Sequence, residues 1–283
     1  MIDGRIEIKA RSDGSGDFKP YLKCFVPEIN GEIPASSKKP AVIICPGGGY
    51  GFRSFREDEP IALEFAARGF AAFVLEYSVG STHYGNEKPA VFPQALCEAC
   101  EAIAHVRKES EKYGVDPGRI FICGFSAGGH LVASAVTMYD SAEVLECLGG
   151  TPADYRPDGG ILCYPVISKN VKTHQGSFDL LLGDNRENNE LIRRVSLDTH
   201  INENTPPCFI WATSDDQVVP VQNSLLFAQK LADNGVKFEL EIFHSGYHGL
   251  ALCNDYTSVR DHHCNNEYHR WIDHAERWVK DNF

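Results

Sequence analysis

The sequence predicts an α/β protein, with a mostly parallel sheet flanked by helices on both faces. Three observations carry this. Apolar, β-rich runs alternate with stretches of helical periodicity over nearly the whole chain. Several of those runs, such as AVIIC (41–45) and the FAAFVL that opens FAAFVLEY (70–77), are continuously apolar, as strands covered on both faces are. A glycine-flanked serine at 124–128 stands where a strand passes directly into a helix.

Residues 5–10 and 20–26 read as short strands separated by the turn-rich RSDGSGD, and Asn30–Pro40 reads as a loop. AVIIC ends at Pro46-Gly47-Gly48-Gly49, and EPIALEFAARG follows as a helix stopped by Gly69. After the strand at 70–77 comes a polar loop, Ser78 to about Pro89. A helix is expected over 93–114, ending at a glycine. RIFICGFS (119–126) is a strand, AGGHLVASAVTMY (127–139) a helix and GGILCYPVI (159–167) a buried strand. Residues 174–204 are polar with helical stretches. PCFIWAT (207–213) and KFELEIF (237–243) are strands around the helix SLLFAQKLADNG (224–235), and EYHRWIDHAERWVK closes the chain as a helix. Trp271 and Trp278, seven apart, mark that helix's buried face. The expected organisation is one domain, 1–283, with a small cap insertion over about 170–205.

Composition sets broad bounds. The 283 residues are 43% hydrophobic and 23% charged, ordinary for a globular chain. Lys and Arg number 27 against 39 Asp and Glu, a formal charge of −12, so nothing electrostatic favours nucleic acid or an anionic membrane surface. No stretch approaches the ~18 apolar residues of a membrane span. The start, MIDGRIEIKARSDG, lacks the apolar core of a signal peptide. Of ten cysteines, Cys24, Cys45, Cys123 and Cys163 fall in strand-like runs and read as small buried hydrophobes. A cytoplasmic protein with reduced thiols is expected.

The chemistry concentrates in four segments. Gly124-Phe125-Ser126-Ala127-Gly128 fits G-x-S-x-G between a strand and a helix. A reversal that sharp forces the serine into a strained backbone and sets it over a helix N-terminus, which favours developing negative charge. Ser126 is therefore the expected nucleophile. Pro46-Gly47-Gly48-Gly49-Tyr50, at the end of an earlier strand, exposes backbone N–H groups. Those of Gly48 and Gly49, with that of Ala127, are expected to form an oxyanion hole; one such donor is worth roughly 3–4 kcal/mol. No Gly-Lys-Ser/Thr follows, which excludes a phosphate loop. After the strand at 207–213 come Asp215 and Asp216, and Asp-x-x-Val fits both, with Val218 and Val219. After the strand at 237–243 come His244 and His248. His248, followed by Gly249, is the expected base, while His244 abuts the strand and is expected to bond locally.

Two other patterns carry less. Cys97-x-x-Cys100 lies inside a helical run with no second cysteine pair at ligand spacing. His262-His263-Cys264, with His269 and His274, has no acidic ligand set and reads as a surface or capping feature of the last helix. No metal or organic cofactor is called for.

With these pieces in place, the chain resembles the esterase/lipase branch of the α/β hydrolases that includes acetyl xylan esterase-like enzymes. The resemblance spans about residues 20–283 and rests on Cys45–Tyr50, Arg56-Glu57 with Glu59-Pro60, Phe73–Val79, Gly124–His130, Asp215–Val221 and Gly246–Gly249. It implies the α/β-hydrolase fold and a Ser-His-Asp triad. It favours Asp215, the first of the two aspartates, with Asp216 as the alternative, and matches His248-Gly249 to the family's His-Gly pair. Pro46 stands where the family's H-G-G-G loop has histidine. The implied activity is removal of short acyl groups, notably acetyl, from sugars or xylo-oligosaccharides, a small-molecule ester substrate. A peptidase or arylformamidase, an acyltransferase using the same acyl-enzyme, and a non-catalytic binding protein are the competing readings.

Overall fold

The computed structural model describes residues 4–9, 18–28, 38–81, 89–259 and 267–283. Strands β1 (Arg5–Glu7), β2 (Tyr21–Phe25), β3 (Lys39–Cys45), β4 (Ala71–Glu76), β5 (Val115–Phe125), β6 (Gly159–Cys163), β7 (Cys208–Thr213) and β8 (Phe238–Phe243) form one sheet in the order β1-β2-β4-β3-β5-β6-β7-β8. β2 runs antiparallel to β1 and β4; the remaining pairs are parallel. The helices are α1 (Glu59–Ala67), α2 (Gln94–Lys108), α3 (Ser110–Tyr113), α4 (Ala127–Met138), α5 (Ala142–Leu148), α6 (Pro152–Tyr155), α7 (Gln175–Leu182), α8 (Asn189–Arg194), α9 (Gln222–Asp233) and α10 (Trp271–Asn282).

Two cores explain the continuously apolar strands. In β3, Ala41, Ile43 and Cys45 pack with Leu96 and Cys100 of α2 and Val132 and Val136 of α4. Val42 and Ile44 point the other way, to Phe65 of α1 and Trp271, Ile272 and Trp278 of α10. Each Val, Leu, Ile or Phe side chain among them contributes about 1.5–3 kcal/mol on burial, so both faces must be covered. Trp271 stacks on Trp211 of β7 with centroids 5.4 Å apart. Cys97 and Cys100 are fully buried within α2 and act as packing. All nine described cysteines are unbridged.

The boundaries differ from expectation at several points. The strand expected over 159–167 stops at Cys163 because Tyr164 turns to φ +38°, leaving the sheet. The helix expected over 93–114 breaks at Glu109 into α2 and α3. β5 starts at Val115, before the expected Arg119. Helices α5 and α6 had no expected counterpart. The predicted turn at 11–17, most of the loop before Pro40, residues 82–88 of the next loop and His262–Cys264 lie outside the described residues. Between β6 and β7, over the stretch expected as a cap, the chain forms α7 and α8.

Among the described residues no helix is long and apolar enough to cross a membrane. The parallel strands put their carboxyl ends on one edge, where the loops after β3, β5, β7 and β8 converge. Ligands bind at this edge of open α/β sheets.

Candidate active site

Ser126 follows β5 and caps α4 with φ +55° and ψ −116°, a conformation costly for any residue other than glycine. The surrounding glycines make it possible by backbone contact. A Cβ at Gly128 would lie 2.0 Å from the Cys45 carbonyl oxygen, and one at Gly124 would lie 2.2 Å from the Gly128 oxygen. Strand and helix thus approach more closely than any side chain allows. Val166 N–H and His130 N–H both donate to the Ser126 carbonyl, at 3.1 Å each.

The Ser126 hydroxyl lies 2.7 Å from His248 Nε2, and His248 Nδ1 lies 2.7 Å from Asp216 Oδ2. A carboxylate only accepts, so Nδ1 carries the proton and Nε2 is left to accept from the serine. Asp216 is 4% exposed, and its second oxygen accepts the N–H groups of Val218 (2.8 Å) and Val219 (2.9 Å). The expected residue, Asp215, is not the one bonded to His248. Asp215 is exposed and turned away, its Oδ1 accepting the Gly246 N–H at 2.6 Å. The chain turns back after β7, so adjacent carboxylates point in different directions and only the second lies under the histidine. His244 meets Tyr268, Nδ1 to hydroxyl 3.2 Å, away from the serine.

Gly48 and Gly49 line a cleft of about 250 Å³ with Ser126 and His248. Gly48 takes φ +127°, and a Cβ there would fall 2.2 Å from the Phe52 carbonyl oxygen, so the loop admits only glycine. Among the described residues no acceptor meets the N–H groups of Gly48, Gly49 or Ala127. The loop's supports escaped sequence reasoning. In place of the histidine that Pro46 replaces, the Tyr77 hydroxyl donates to the Pro46 carbonyl (2.6 Å) and Glu57 accepts the Gly47 N–H (2.9 Å). Nothing in the sequence pairs Glu57 with residue 47, although Arg56-Glu57 is among the segments of family resemblance.

His174, at the N-terminus of α7, also lines the cleft. Its Nδ1 accepts the Ser177 N–H at 3.2 Å, so in the neutral ring the proton sits on Nε2. Burial, and the nearby His248, lower its pKa and keep it neutral. His130 follows Ser126 by one helical turn. It lies between the Tyr50 hydroxyl (2.9 Å) and the Val195 carbonyl (2.9 Å), and burial pushes its pKa down to about 4. Among the described residues no three His, Cys, Asp or Glu side chains come together as metal ligands. His269 and His274 are bonded instead to the Leu252 carbonyl and to Glu241.

A serine on a strained strand-to-helix turn, bonded to a histidine that is bonded to a carboxylate, at the carboxyl edge of this sheet, defines an α/β hydrolase. The BD-FAE family model matches residues 31–155 and 163–231, and the chain belongs to that family. Among curated relatives, Endo-1,4-beta-xylanase B of Butyrivibrio fibrisolvens is 39% identical over 223 residues, 77% of this chain and 33% of that protein. The Acetylxylan esterase of Xylanibacter ruminicola is 29% identical over 243 residues, 84% of this chain and 45% of that protein. The chain therefore spans about a third to a half of the length of these relatives. Among solved structures, the acetyl ester-xyloside bifunctional hydrolase from Caldicellulosiruptor lactoaceticus superposes with a TM-score of 0.80 at 35% identity, covering 99% of this chain and 96% of that one. The carboxylesterase Cest-2923 from Lactobacillus plantarum gives 0.83 at 26%, covering 99% and 98%.

Proposed function

We propose that this chain is a serine carboxylesterase that removes short acyl groups, foremost acetyl, from sugars or xylo-oligosaccharides. The observation that carries the reading is the unbroken series Ser126 Oγ, His248 Nε2, His248 Nδ1, Asp216 Oδ2, with 2.7 Å at both hydrogen bonds. In this reading Ser126 attacks the ester carbonyl as His248 takes its proton, and Asp216 holds the imidazole and stabilises the imidazolium. The N–H groups of Gly48, Gly49 and Ala127 receive the oxyanion. His248 returns the proton to the leaving alcohol, and water, activated by the same histidine, hydrolyses the acyl-enzyme. A cleft of about 250 Å³ suits a small acyl group, being below the usual size of drug-sized ligand pockets. The acetyl-sugar assignment is supported by the names of the relatives that act on acetylxylan and acetyl ester-xyloside.

The test is hydrolysis of p-nitrophenyl acetate, butyrate and octanoate, followed by acetate release from acetylated xylo-oligosaccharides. Activity should fall with acyl length, and Ser126→Ala should lose roughly 10⁴–10⁶-fold in kcat. A variant with full activity, or a preference for octanoate, would refute the reading. Acyl transfer to an added sugar exceeding hydrolysis would make the protein a transferase.

A further inference from the structure

Glu57 is 3% exposed, and its two oxygens serve two different loops of the site. Oε2 accepts the N–H of Gly47, at the root of the glycine loop, at 2.9 Å. Oε1 accepts the hydroxyl proton of Tyr164 at 2.8 Å. That hydroxyl oxygen in turn accepts the N–H of Ala251, three residues past His248, at 2.9 Å. The Tyr164 ring also meets the His248 ring at a T-shaped angle, centroids 5.1 Å apart. The neighbouring Arg56 holds the same histidine segment by another route, donating from Nη1 to the carbonyls of Gly249 (2.7 Å) and Thr257 (3.2 Å). One short 3₁₀ turn, Phe55–Glu57, therefore touches the glycine loop on one side and the histidine segment on the other.

The chemistry calls for a carboxylate here. Gly47 N–H and Tyr164 O–H are both donors in a buried setting, and an ionised carboxylate accepts at both oxygens. Glutamine has the same shape but one accepting oxygen, so one of the two donors would face an NH₂ group. The lever arm is short. A Cβ at Gly47 would lie 2.7 Å from Glu57 Oε2 and 3.1 Å from the Ser126 Cβ. A shift of this carboxylate is thus felt beside the nucleophile.

We propose that Glu57 is a positioning residue for the reaction, setting the glycine loop and His248 in register with each other and with Ser126. It transfers no proton itself; Tyr164 is its arm toward the histidine. The proposal rests on the esterase reading for its role, but its test can be read without an ester. Glu57→Gln, Tyr164→Phe and the double variant are compared with wild type for kcat and KM on p-nitrophenyl acetate. Rates are taken per active site titrated with a fluorophosphonate, and Tm is measured alongside. Glu57→Gln should lower kcat about 10- to 100-fold with KM within about threefold, as misplacement of transition-state groups does. The double variant should lose less than the product of the two single losses, because both act on the one Gly47–Glu57–Tyr164 hydrogen-bond chain. Unchanged kcat per titrated site in both single variants, with Tm lowered, would reduce Glu57 to a fold-stabilising residue and overturn the proposal. Should Glu57→Gln fail to fold, Tyr164→Phe decides alone: an unchanged kcat overturns it. A wild type inactive on esters would count against the esterase reading, and the rate of fluorophosphonate labelling of Ser126 would then carry the comparison. Slower labelling in the variants upholds the positioning role, and equal rates end it.

Discussion

The two halves of the site are held by different means. Ser126 is fixed by backbone against backbone, in a turn where the Gly128 Cα faces the Cys45 carbonyl too closely for any side chain. His248 and Asp216 sit on loops after β8 and β7 and are held by hydrogen bonds, many from distant residues. Arg56 grips the Gly249 carbonyl, Tyr164 takes the Ala251 N–H, and Asp216 folds onto the N–H groups of Val218 and Val219. The nucleophile's geometry therefore rests on close backbone contacts, inside the strand-turn-helix unit (Gly124 against the Gly128 carbonyl) and from that unit to the end of β3. The geometry of base and acid is assembled from segments up to about 200 residues apart in sequence.

The sharpest way to break this comparison is at the two aspartates. Asp216→Asn should keep the fold and lower kcat by about 10⁴-fold, because an amide nitrogen against Nδ1 forces the wrong tautomer. Asp215→Asn should cost less than about tenfold, since its partner is one loop N–H. Steady-state kinetics on p-nitrophenyl acetate decides, and the reverse order would show that the histidine loop is assembled otherwise.

In the local half the damage should be to folding. Gly128→Ala places a methyl group 2.0 Å from a backbone oxygen that cannot rotate away. The expected loss is about 4 kcal/mol of stability, near the upper end for a point change. Urea denaturation measures it, and a loss below about 1 kcal/mol would mean the elbow yields more than its backbone contacts imply.

A smaller effect, beside the nucleophile's half, acts through pH. His130 stands one turn after Ser126 yet bonds to the Val195 carbonyl, just beyond α8, and burial takes its pKa from 6.5 to about 4. The unfolded chain therefore binds the extra proton between those values. Stability from the neutral ring is complete above pH 6.5, falls as pH drops toward 4, and then levels off. At about 1.4 kcal/mol per pH unit this amounts to about 3 kcal/mol. Glu98, pushed up to about 7 by burial despite its Ser78 and Gln94 hydrogen bonds, works oppositely, losing its contribution as pH rises through 7. Comparing wild type with His130→Gln removes that background, because both retain Glu98. The stability difference between the two proteins should narrow from pH 6.5 to 4, and a constant difference would contradict the buried neutral ring.

How much could be read beforehand follows the same division. The glycine spacing around Ser126 and the loop at Gly47–Gly49 were legible because their geometry depends on a few adjacent residues. Asp215 and Asp216 carry the same side chain in the same turn, and both fit Asp-x-x-Val, so the residue pattern left the pair unresolved; the family resemblance favoured Asp215, whereas the hydrogen bond to His248 comes from Asp216. His174 carries no local signal, and Glu57 none beyond its place in a segment of family resemblance. One lies in a short 3₁₀ turn and the other at the start of a helix in a polar stretch, and each acquires its place only when that element docks.

The sequence by itself determined the alternation of strand and helix, the two-faced burial of the sheet and the turn that presents Ser126. Those follow from periodicity, apolar burial and the steric freedom of glycine, all short-range in the chain. Only the tertiary structure decided which aspartate lies under His248, how a loop lacking the family histidine is supported, and which side chains close the cleft. These depend on the direction of single hydrogen bonds between segments that meet only after the sheet has formed.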